Sequence, residues 1–282
     1  MSNGARSASL GVPGVSLPRV MASEWVKLRS LRSSIVVLIA SSVLVVGAGV
    51  LTAAAVAGSM ADRSWDPGGD PFSPHDATAA VLYGVQFAQL LIGLLGVLVA
   101  SSEYGTGMIR ATLAAVPTRL PVLWAKLVVI AAVSFVTMLS ASAAAFGIGR
   151  VFLNNAGVQL ALSDGPSGSP AVLRAVFFGA PLYLCGVAIL AITLGFLLRN
   201  TAAAIAMFYV VMFFLAPLLG LLLPGDLGHT LASFLPSAAG QAFMAVTPRS
   251  GLLTPWVGFA VFCGYLVVMT TAAAVVLKRR DA

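Results

Sequence analysis

Charged residues are scarce in this sequence. Only 9% of its 282 residues are Asp, Glu, Lys or Arg, whereas 59% are hydrophobic, and soluble globular domains carry roughly 25% charged residues. A water-soluble fold is therefore disfavoured. The formal charge of +7 does not indicate a nucleic-acid-binding surface, because the Lys and Arg residues lie at the ends of apolar segments and not together on one soluble face.

The residues that build catalytic and metal centres are also few. His75 and His229 have no His or Cys neighbour at ligand spacing. Cys185 and Cys263 lie inside apolar runs, which is typical of buried thiols that act as small hydrophobes, although a disulfide or a metal site stays open. No lysine follows a glycine-rich run of the P-loop type, so ATP binding by that route is excluded. We expect a chain that is not an enzyme and binds no metal or cofactor itself; a membrane-embedded enzyme with a site at His75, Asp76 and His229 is the weakest alternative.

Long uncharged runs fill most of the chain. A helix needs about 20 apolar residues to cross a hydrocarbon layer of roughly 30 Å, and six runs have this length. The sequence predicts an all-α integral membrane protein with a transmembrane domain over residues 35–278. We expect residues 1–18 to form a flexible cytoplasmic tail and not a signal peptide, and 279–282 to form a second tail. The predicted spans are residues 35–57, 79–100, 127–148, 175–198, 201–223 and 256–277.

Ionisable residues are absent from all six runs, which disfavours a proton-coupled carrier. The strongest polar features within them are Gln86 and Gln89, one helical turn apart on span 2. They could line a transport path, or they could bond a neighbouring helix, which is the simpler interpretation.

The basic residues predict the orientation. With a cytoplasmic N-terminus, twelve Lys and Arg residues fall on the cytoplasmic side and four on the other side, as the positive-inside rule requires. An even number of spans then places both termini in the cytoplasm. The four basic residues on the outer side are Arg63, Arg150, Arg174 and Arg249.

Several features between and within the later spans carry structural predictions. Only Arg199 and Asn200 separate spans 4 and 5, so these spans should form a tight helical hairpin. Pro181 and Pro217 should bend spans 4 and 5. The segment 224–255 is fairly apolar, which predicts short helices around LASFL and SAAGQAFMAV, packed on or dipping into the outer leaflet.

Residues 19–34 precede the first span. Met21, Trp25, Leu28 and Leu31 recur at helical spacing, and the charged residues Glu24, Lys27, Arg29 and Arg32 point elsewhere. This pattern predicts an amphipathic helix on the inner membrane surface, with its basic residues at anionic lipid head groups. A plain basic flank to span 1 is the alternative.

The segment between spans 2 and 3, SSEYGTGMIRATLAAVPTRLP, is also amphipathic. Ile109, Leu113 and Val116 share one helical face, Arg110 lies off it, and Pro117 ends the helix. A short cytoplasmic helix of this kind requires a partner, either the membrane surface or another protein.

This segment resembles a signature of the permease subunits of bacterial ABC-2 type transporters. The family's E-Y-x-x-G-T-x-R-x-x-L motif is followed by a Pro, a basic residue and an Ala-Lys pair; here Met108 replaces the usual Thr. SEWVKLRSLRS, with Trp25, Lys27, Arg29 and Arg32, resembles the family's N-terminal elbow helix, and LPSAAGQAF resembles the stretch between its last two spans. The matching positions are Glu103, Tyr104, Gly107, Arg110, Leu113, Pro117, Arg119, Ala125 and Lys126.

The resemblance implies an exporter permease in the bacterial cytoplasmic membrane, with a drug, peptide antibiotic or lipid-like substrate. Two permeases would pair, as a homodimer or a heterodimer. Separate ABC ATPase subunits would bind ATP and Mg, and the segment between spans 2 and 3 would be the coupling helix that contacts them. The alternative is a non-transporting membrane scaffold or sensor-associated protein that holds a cytoplasmic partner through the same helix.

Overall fold

The computed structural model describes residues 16–61, 77–105, 120–155, 169–223, 226–246, 251 and 253–279. Every regular element within these ranges is helical. Within the described residues, six helices are long and apolar enough to cross a membrane, which confirms the predicted count. In chain order we call them spans 1 to 6: Arg32–Gly58, Thr78–Ser102, Leu120–Asn155, Pro170–Leu198, Thr201–Leu222 and Pro255–Arg279.

The helices continue beyond several of the uncharged runs. The span 1 helix extends over Arg32–Ala61, and span 2 consists of a short helix, Ala77–Val81, followed by Val85–Gly105. The span 3 helix, Leu120–Asn155, includes seven residues before and seven after the predicted run 127–148. Lys126 and Arg150 therefore lie within the helix and do not mark its ends, because a charged side chain does not itself stop a helix.

Spans 4 and 5 each contain a π-helical turn, which lies immediately before the α-helical segment that contains a proline. The helix Ser169–Leu173 passes into a π turn at Arg174–Gly179 and continues as Ala180–Leu198, with Pro181 in its first turn. In span 5, the helix Thr201–Tyr209 passes into a π turn at Val210–Phe214. The chain then continues as the helix Leu215–Leu222, which contains Pro217. Proline lacks an N–H group and clashes with the carbonyl four residues earlier. That carbonyl lies in the π turn in both spans, so the wider turn accommodates the proline.

Spans 2, 3 and 4 form the core of the bundle, and spans 1, 5 and 6 surround them with few of their residues buried. Glycines bring spans 2 and 4 close together. A Cβ on Gly96 would lie 2.7 Å from the Ala188 carbonyl oxygen, and one on Gly195 would lie 2.7 Å from the Ala100 Cβ. Small residues at helix contacts allow this approach of the backbones.

The junction between spans 4 and 5 has the expected two residues. Arg199 adopts the left-handed conformation with φ 50° and ψ 14°, which turns the chain out of span 4. The Asn200 side chain then accepts a hydrogen bond from the Ala203 N–H and caps the span 5 helix.

A separate helix, Leu17–Ser30, precedes span 1 and packs on span 3. We call it the N-terminal helix and the end of the bundle that carries it the basal end. The chain is extended at Leu31, so Arg32 begins the span 1 helix and is not part of the N-terminal helix. The expected orientation of Glu24 is wrong: Val20, Glu24 and Leu28 are the buried residues, and Trp25 is 48% exposed.

Two short helices lie at the opposite, apical end, between spans 5 and 6. They are Asp226–Ser233 and Pro236–Ala242, and we call them the first and second apical helices. Their positions overlap the predicted stretches LASFL and SAAGQAFMAV, and the second one packs against span 6.

Candidate functional site: two polar clusters at opposite ends of the bundle

A closed ring of neutral polar side chains lies in the apical half of the bundle. Gln86 and Gln241 form a reciprocal amide pair, with N···O distances of 2.7 and 3.2 Å. Gln89 donates to the Gln86 carbonyl at 3.1 Å, and the Tyr183 hydroxyl donates to the Gln89 carbonyl. Gln241 closes the ring by donating to the Tyr183 hydroxyl at 3.4 Å. We call these four residues the amide ring.

The amide ring connects three elements: span 2, span 4 and the second apical helix. Gln89 and Tyr183 are 1% and 2% exposed. Within a bundle that packs in lipid, a buried amide without a partner is costly, so the reciprocal bonds remove that penalty. The packing role proposed for Gln86 and Gln89 fits this geometry. Gln86 bonds Gln241 of the second apical helix, and Gln89 accepts a hydrogen bond from Tyr183 of span 4.

The backbone around the amide ring leaves no spare space. A Cβ on Gly240 would lie 2.5 Å from the Tyr183 ring, and Tyr183 itself packs on Phe262 with 5.6 Å between ring centroids. A Cβ on Gly258 would lie 2.6 Å from the Ala239 carbonyl oxygen. The second apical helix is therefore held tightly between spans 4 and 6.

Arg174 holds the residues that follow the second apical helix. Its Nη2 donates to the Ala245 carbonyl at 2.6 Å, and its guanidinium lies 5.6 Å from the centre of the Phe243 ring. The cation–π contact and the hydrogen bond together attach this part of the chain to the start of span 4.

A buried ion pair is the main polar feature of the basal end. Glu24 of the N-terminal helix accepts a hydrogen bond from Lys126 of span 3 at 2.7 Å, and its other oxygen accepts one from Lys27 at 2.8 Å. The Lys126 side chain is 2% exposed and that of Glu24 is 5% exposed. The carboxylate thus connects the N-terminal helix directly to the start of span 3.

Tyr104 lies in the last turn of the span 2 helix and contacts the junction between spans 4 and 5. Its ring meets the Phe196 ring edge-on, with 6.2 Å between centroids. The Arg199 guanidinium lies 5.4 Å from the centre of the Tyr104 ring. The left-handed conformation of Arg199 places its side chain at the end of span 2.

The structure describes only some of the residues predicted for ATPase coupling. Glu103 and Tyr104 belong to the span 2 helix, Val85–Gly105. The predicted coupling residues Gly107, Arg110, Leu113, Pro117 and Arg119 lie outside the described residues.

In the N-terminal helix, Lys27 bonds Glu24, and Trp25 and Arg29 are exposed. Arg32, at the start of span 1, is exposed as well.

Metal-binding and thiol chemistry gain no support. No group of three His, Cys, Asp or Glu side chains at metal-binding distance occurs in the described part of the chain. Cys185 and Cys263 are half-buried free thiols. His229 is exposed on the first apical helix, whereas His75 and Asp76 lie outside the described residues.

Sequence patterns missed Tyr183, Gln241 and Glu24 as members of polar clusters. Gln241 stands in the LPSAAGQAF stretch, which was singled out without a role for the glutamine. Tyr183 and Glu24 meet partners that are distant along the chain, so helical periodicity gives no signal for them. A single glutamate on a helix with several basic residues was the one hint that Glu24 has a specific partner.

A family described as ABC-2 family transporter protein matches residues 20–216. No curated protein matches the chain. The match covers well over half of the sequence and includes most of the N-terminal helix, all of spans 1 to 4 and most of span 5. The chain therefore belongs to the ABC-2 transporter family and is a multi-pass membrane permease of an ABC transporter.

Proposed function

We propose that this permease exports an amphipathic substrate, such as a drug, a peptide antibiotic or a lipid, and that ATP hydrolysis by separate ATPase subunits drives the export. Members of this family are transport components that associate with ABC ATPases and are not themselves catalytic. ATP and Mg belong to the ATPase subunits. The absence of ionisable residues from the six uncharged runs of the sequence favours an energy source outside the membrane over ion coupling.

One observation carries the proposal: both flanks of the segment 106–119 are attached to the bundle. On the N-terminal side, the Tyr104 ring packs on Phe196 and lies 5.4 Å from the guanidinium of Arg199, in the junction between spans 4 and 5. On the C-terminal side, Lys126 is paired with Glu24. An ATPase that moves the segment would therefore displace spans 2 to 5 and the N-terminal helix together, because packed elements move as rigid bodies.

The basal end faces the cytoplasm in this proposal. The twelve basic residues of the positive-inside count include Lys27, Arg29 and Lys126 at the basal end. The amide ring and the apical helices then lie toward the outer leaflet. A second permease subunit, identical or different, completes the path.

Reconstitution of the permease with its ATPase tests the proposal. The complex is isolated from its native membrane through a tag on the permease, and the variants Glu103→Gln and Arg110→Gln are compared with the native chain in proteoliposomes. We expect a co-purifying P-loop ATPase that still hydrolyses ATP in both variants, with ATP-dependent movement of a fluorescent amphipathic dye reduced at least tenfold.

Arg150→Gln is the matched control, because Arg150 is exposed at the opposite end of span 3. This variant should hydrolyse ATP and move the dye like the native chain. Isolation of the permease with a cytoplasmic partner that lacks a P-loop would instead support the scaffold alternative and refute ATP-driven export.

A further inference from the structure

A cavity of about 330 Å³ opens at the basal end between the N-terminal helix and spans 2 and 3. Most of its wall is apolar. The apolar side chains come from all three elements: Leu28, Leu31, Val99, Val129 and Ile130. A cavity of this composition accepts hydrocarbon, and its size suits part of an acyl chain but not a whole lipid.

One side of the same cavity is charged. Glu24 and Lys126 line it as a buried pair, and Lys27 lines it with a side chain that is 35% exposed. The Lys27 ammonium therefore reaches from the cavity to the surface. The apolar wall and the basic rim of the cavity are together complementary to a molecule with a hydrocarbon chain and a negatively charged head group.

The helix that forms the rim has the character of a membrane-surface helix. Trp25 and Val26 are 48% and 63% exposed, although both are apolar. The N-terminal helix, Leu17–Ser30, contains three basic residues, Arg19, Lys27 and Arg29, and one acidic residue, Glu24. Exposed apolar side chains and excess basic charge on one short helix favour contact with an anionic lipid surface.

We propose that the cavity binds one phospholipid with an anionic head group, taken from the leaflet at the basal end. The acyl chain lies against Leu28, Val99 and Ile130, and the phosphate meets the Lys27 ammonium. The Glu24–Lys126 pair forms the polar floor beside the head group. This binding does not depend on the transported substrate or on ATP.

Lipid retention measured by native mass spectrometry tests the proposal. The purified permease is reconstituted in vesicles with equal amounts of phosphatidylcholine and phosphatidylglycerol of the same chain length, and lipids that stay bound after transfer to detergent are counted. We expect the native chain to retain phosphatidylglycerol preferentially. Lys27→Gln should lower this retention about fivefold, which corresponds to one basic residue at an anionic surface.

Two further variants separate the head group from the chain. Val99→Trp fills the cavity with an indole ring and should abolish retention of the lipid while it leaves Lys27 in place. Lys278→Gln removes a lysine from the same side of the bundle, at the exposed end of span 6, and should retain the lipid like the native chain.

Retention that is unchanged in both Lys27→Gln and Val99→Trp would overturn the proposal. Displacement of the lipid by soluble glycerol phosphate would also overturn it, since the site would then recognise a phosphate without its chain. If Lys27→Gln fails to elute as a folded protein, the result for Val99→Trp decides between the outcomes, because this variant keeps Glu24, Lys27 and Lys126.

Discussion

Glu24 is the residue on which the basal structure depends most. Its two carboxylate oxygens bond different lysines, one buried on span 3 and one half-exposed on its own helix. A buried carboxylate is tolerated only when it is paired. The position of the N-terminal helix on span 3 is therefore set by an ion pair as well as by apolar contacts from Val20 and Leu28.

Replacing Glu24 should destabilise the permease more than replacing either lysine. Glu24→Ala removes the carboxylate from both ion pairs, including the buried one, and should cost roughly 3–5 kcal/mol. Lys126→Met should cost less, because Glu24 keeps Lys27. Lys27→Met removes a half-exposed pair and should cost about 0.5 kcal/mol. Thermal unfolding in detergent, followed by a dye that reacts with Cys185 and Cys263, gives this order; equal losses in all three variants would contradict it.

Gly240 offers a second test at single-residue scale. A methyl group there would lie 2.5 Å from the Tyr183 ring, so Gly240→Ala must push Tyr183 away from Gln89. Overpacking of this kind typically costs about 1–3 kcal/mol. Gly264, in span 6, has nothing within 4 Å of an added Cβ, and Gly264→Ala should stabilise the helix by roughly 0.5–1 kcal/mol. Unfolding temperatures that shift in the same direction in both variants would refute the tight packing of the second apical helix.

Individual members of the polar clusters could be predicted from the sequence only where the evidence for them lies in neighbouring residues of the same helix. The pair Gln86 and Gln89 was visible because two amides one turn apart stand out in an apolar helix. Their partners were not, since Tyr183 and Gln241 lie in other elements and look ordinary in their own sequence neighbourhoods. The same holds for Glu24, whose partner Lys126 is 102 residues away.

Among the elements, the spans were the most predictable. A spanning helix must be long and uncharged in its middle, so composition alone locates it. Composition does not fix where a helix ends, and the span 3 helix therefore continues past Lys126 and Arg150. The π turns before Pro181 and Pro217 accommodate prolines, which lack an N–H group. The sequence shows where the prolines are, but its composition does not predict that the preceding turn is wider than an α-helical turn.

The N-terminal helix shows why the buried face of a helix is harder to predict than the presence of the helix itself. Its apolar residues form a stripe through Trp25, whereas the structure buries Glu24 and exposes Trp25. Hydrophobic periodicity assigns charged residues to the outside, and that assumption fails when a charged residue finds a buried partner of opposite charge.

The second apical helix is the element whose mobility the amide ring should control. Gln241→Ala removes three hydrogen bonds of the ring and leaves the Gln86 amide without its reciprocal partner. Interhelical hydrogen bonds in membrane proteins average about 0.6 kcal/mol each, so a loss of roughly 1–2 kcal/mol is expected. Hydrogen exchange of Pro236–Ala242 should then accelerate by about tenfold.

Ala238→Ser is the control for this prediction. Ala238 is a half-buried residue of the same helix and lies outside the amide ring, so this variant keeps every bond of the ring and should leave the exchange close to that of the native chain. Equal exchange in Gln241→Ala and the native chain would show that the ring does not hold this helix.

At the scale of the whole molecule, the two polar clusters lie at opposite ends of the bundle and differ in charge. The apical amide ring is neutral and closes on itself, whereas the basal cluster is charged and connects the N-terminal helix to span 3. The segment 106–119 begins beside Tyr104 and ends before Lys126, so both of its flanks are at the basal end. An ATPase that binds there has contact, through these flanks, with most of the bundle.

Contact between residue 113 and an ATPase tests this account most directly. A photo-reactive amino acid replaces Leu113 in the tagged permease, native membranes are irradiated, and the cross-linked partner is identified by mass spectrometry. Ala161 is the control position, because the orientation predicted from the basic residues assigns it to the outer side. We expect a cross-link from position 113 to a P-loop ATPase and none from position 161. The absence of an ATPase cross-link at 113, or its presence at 161, would contradict the account.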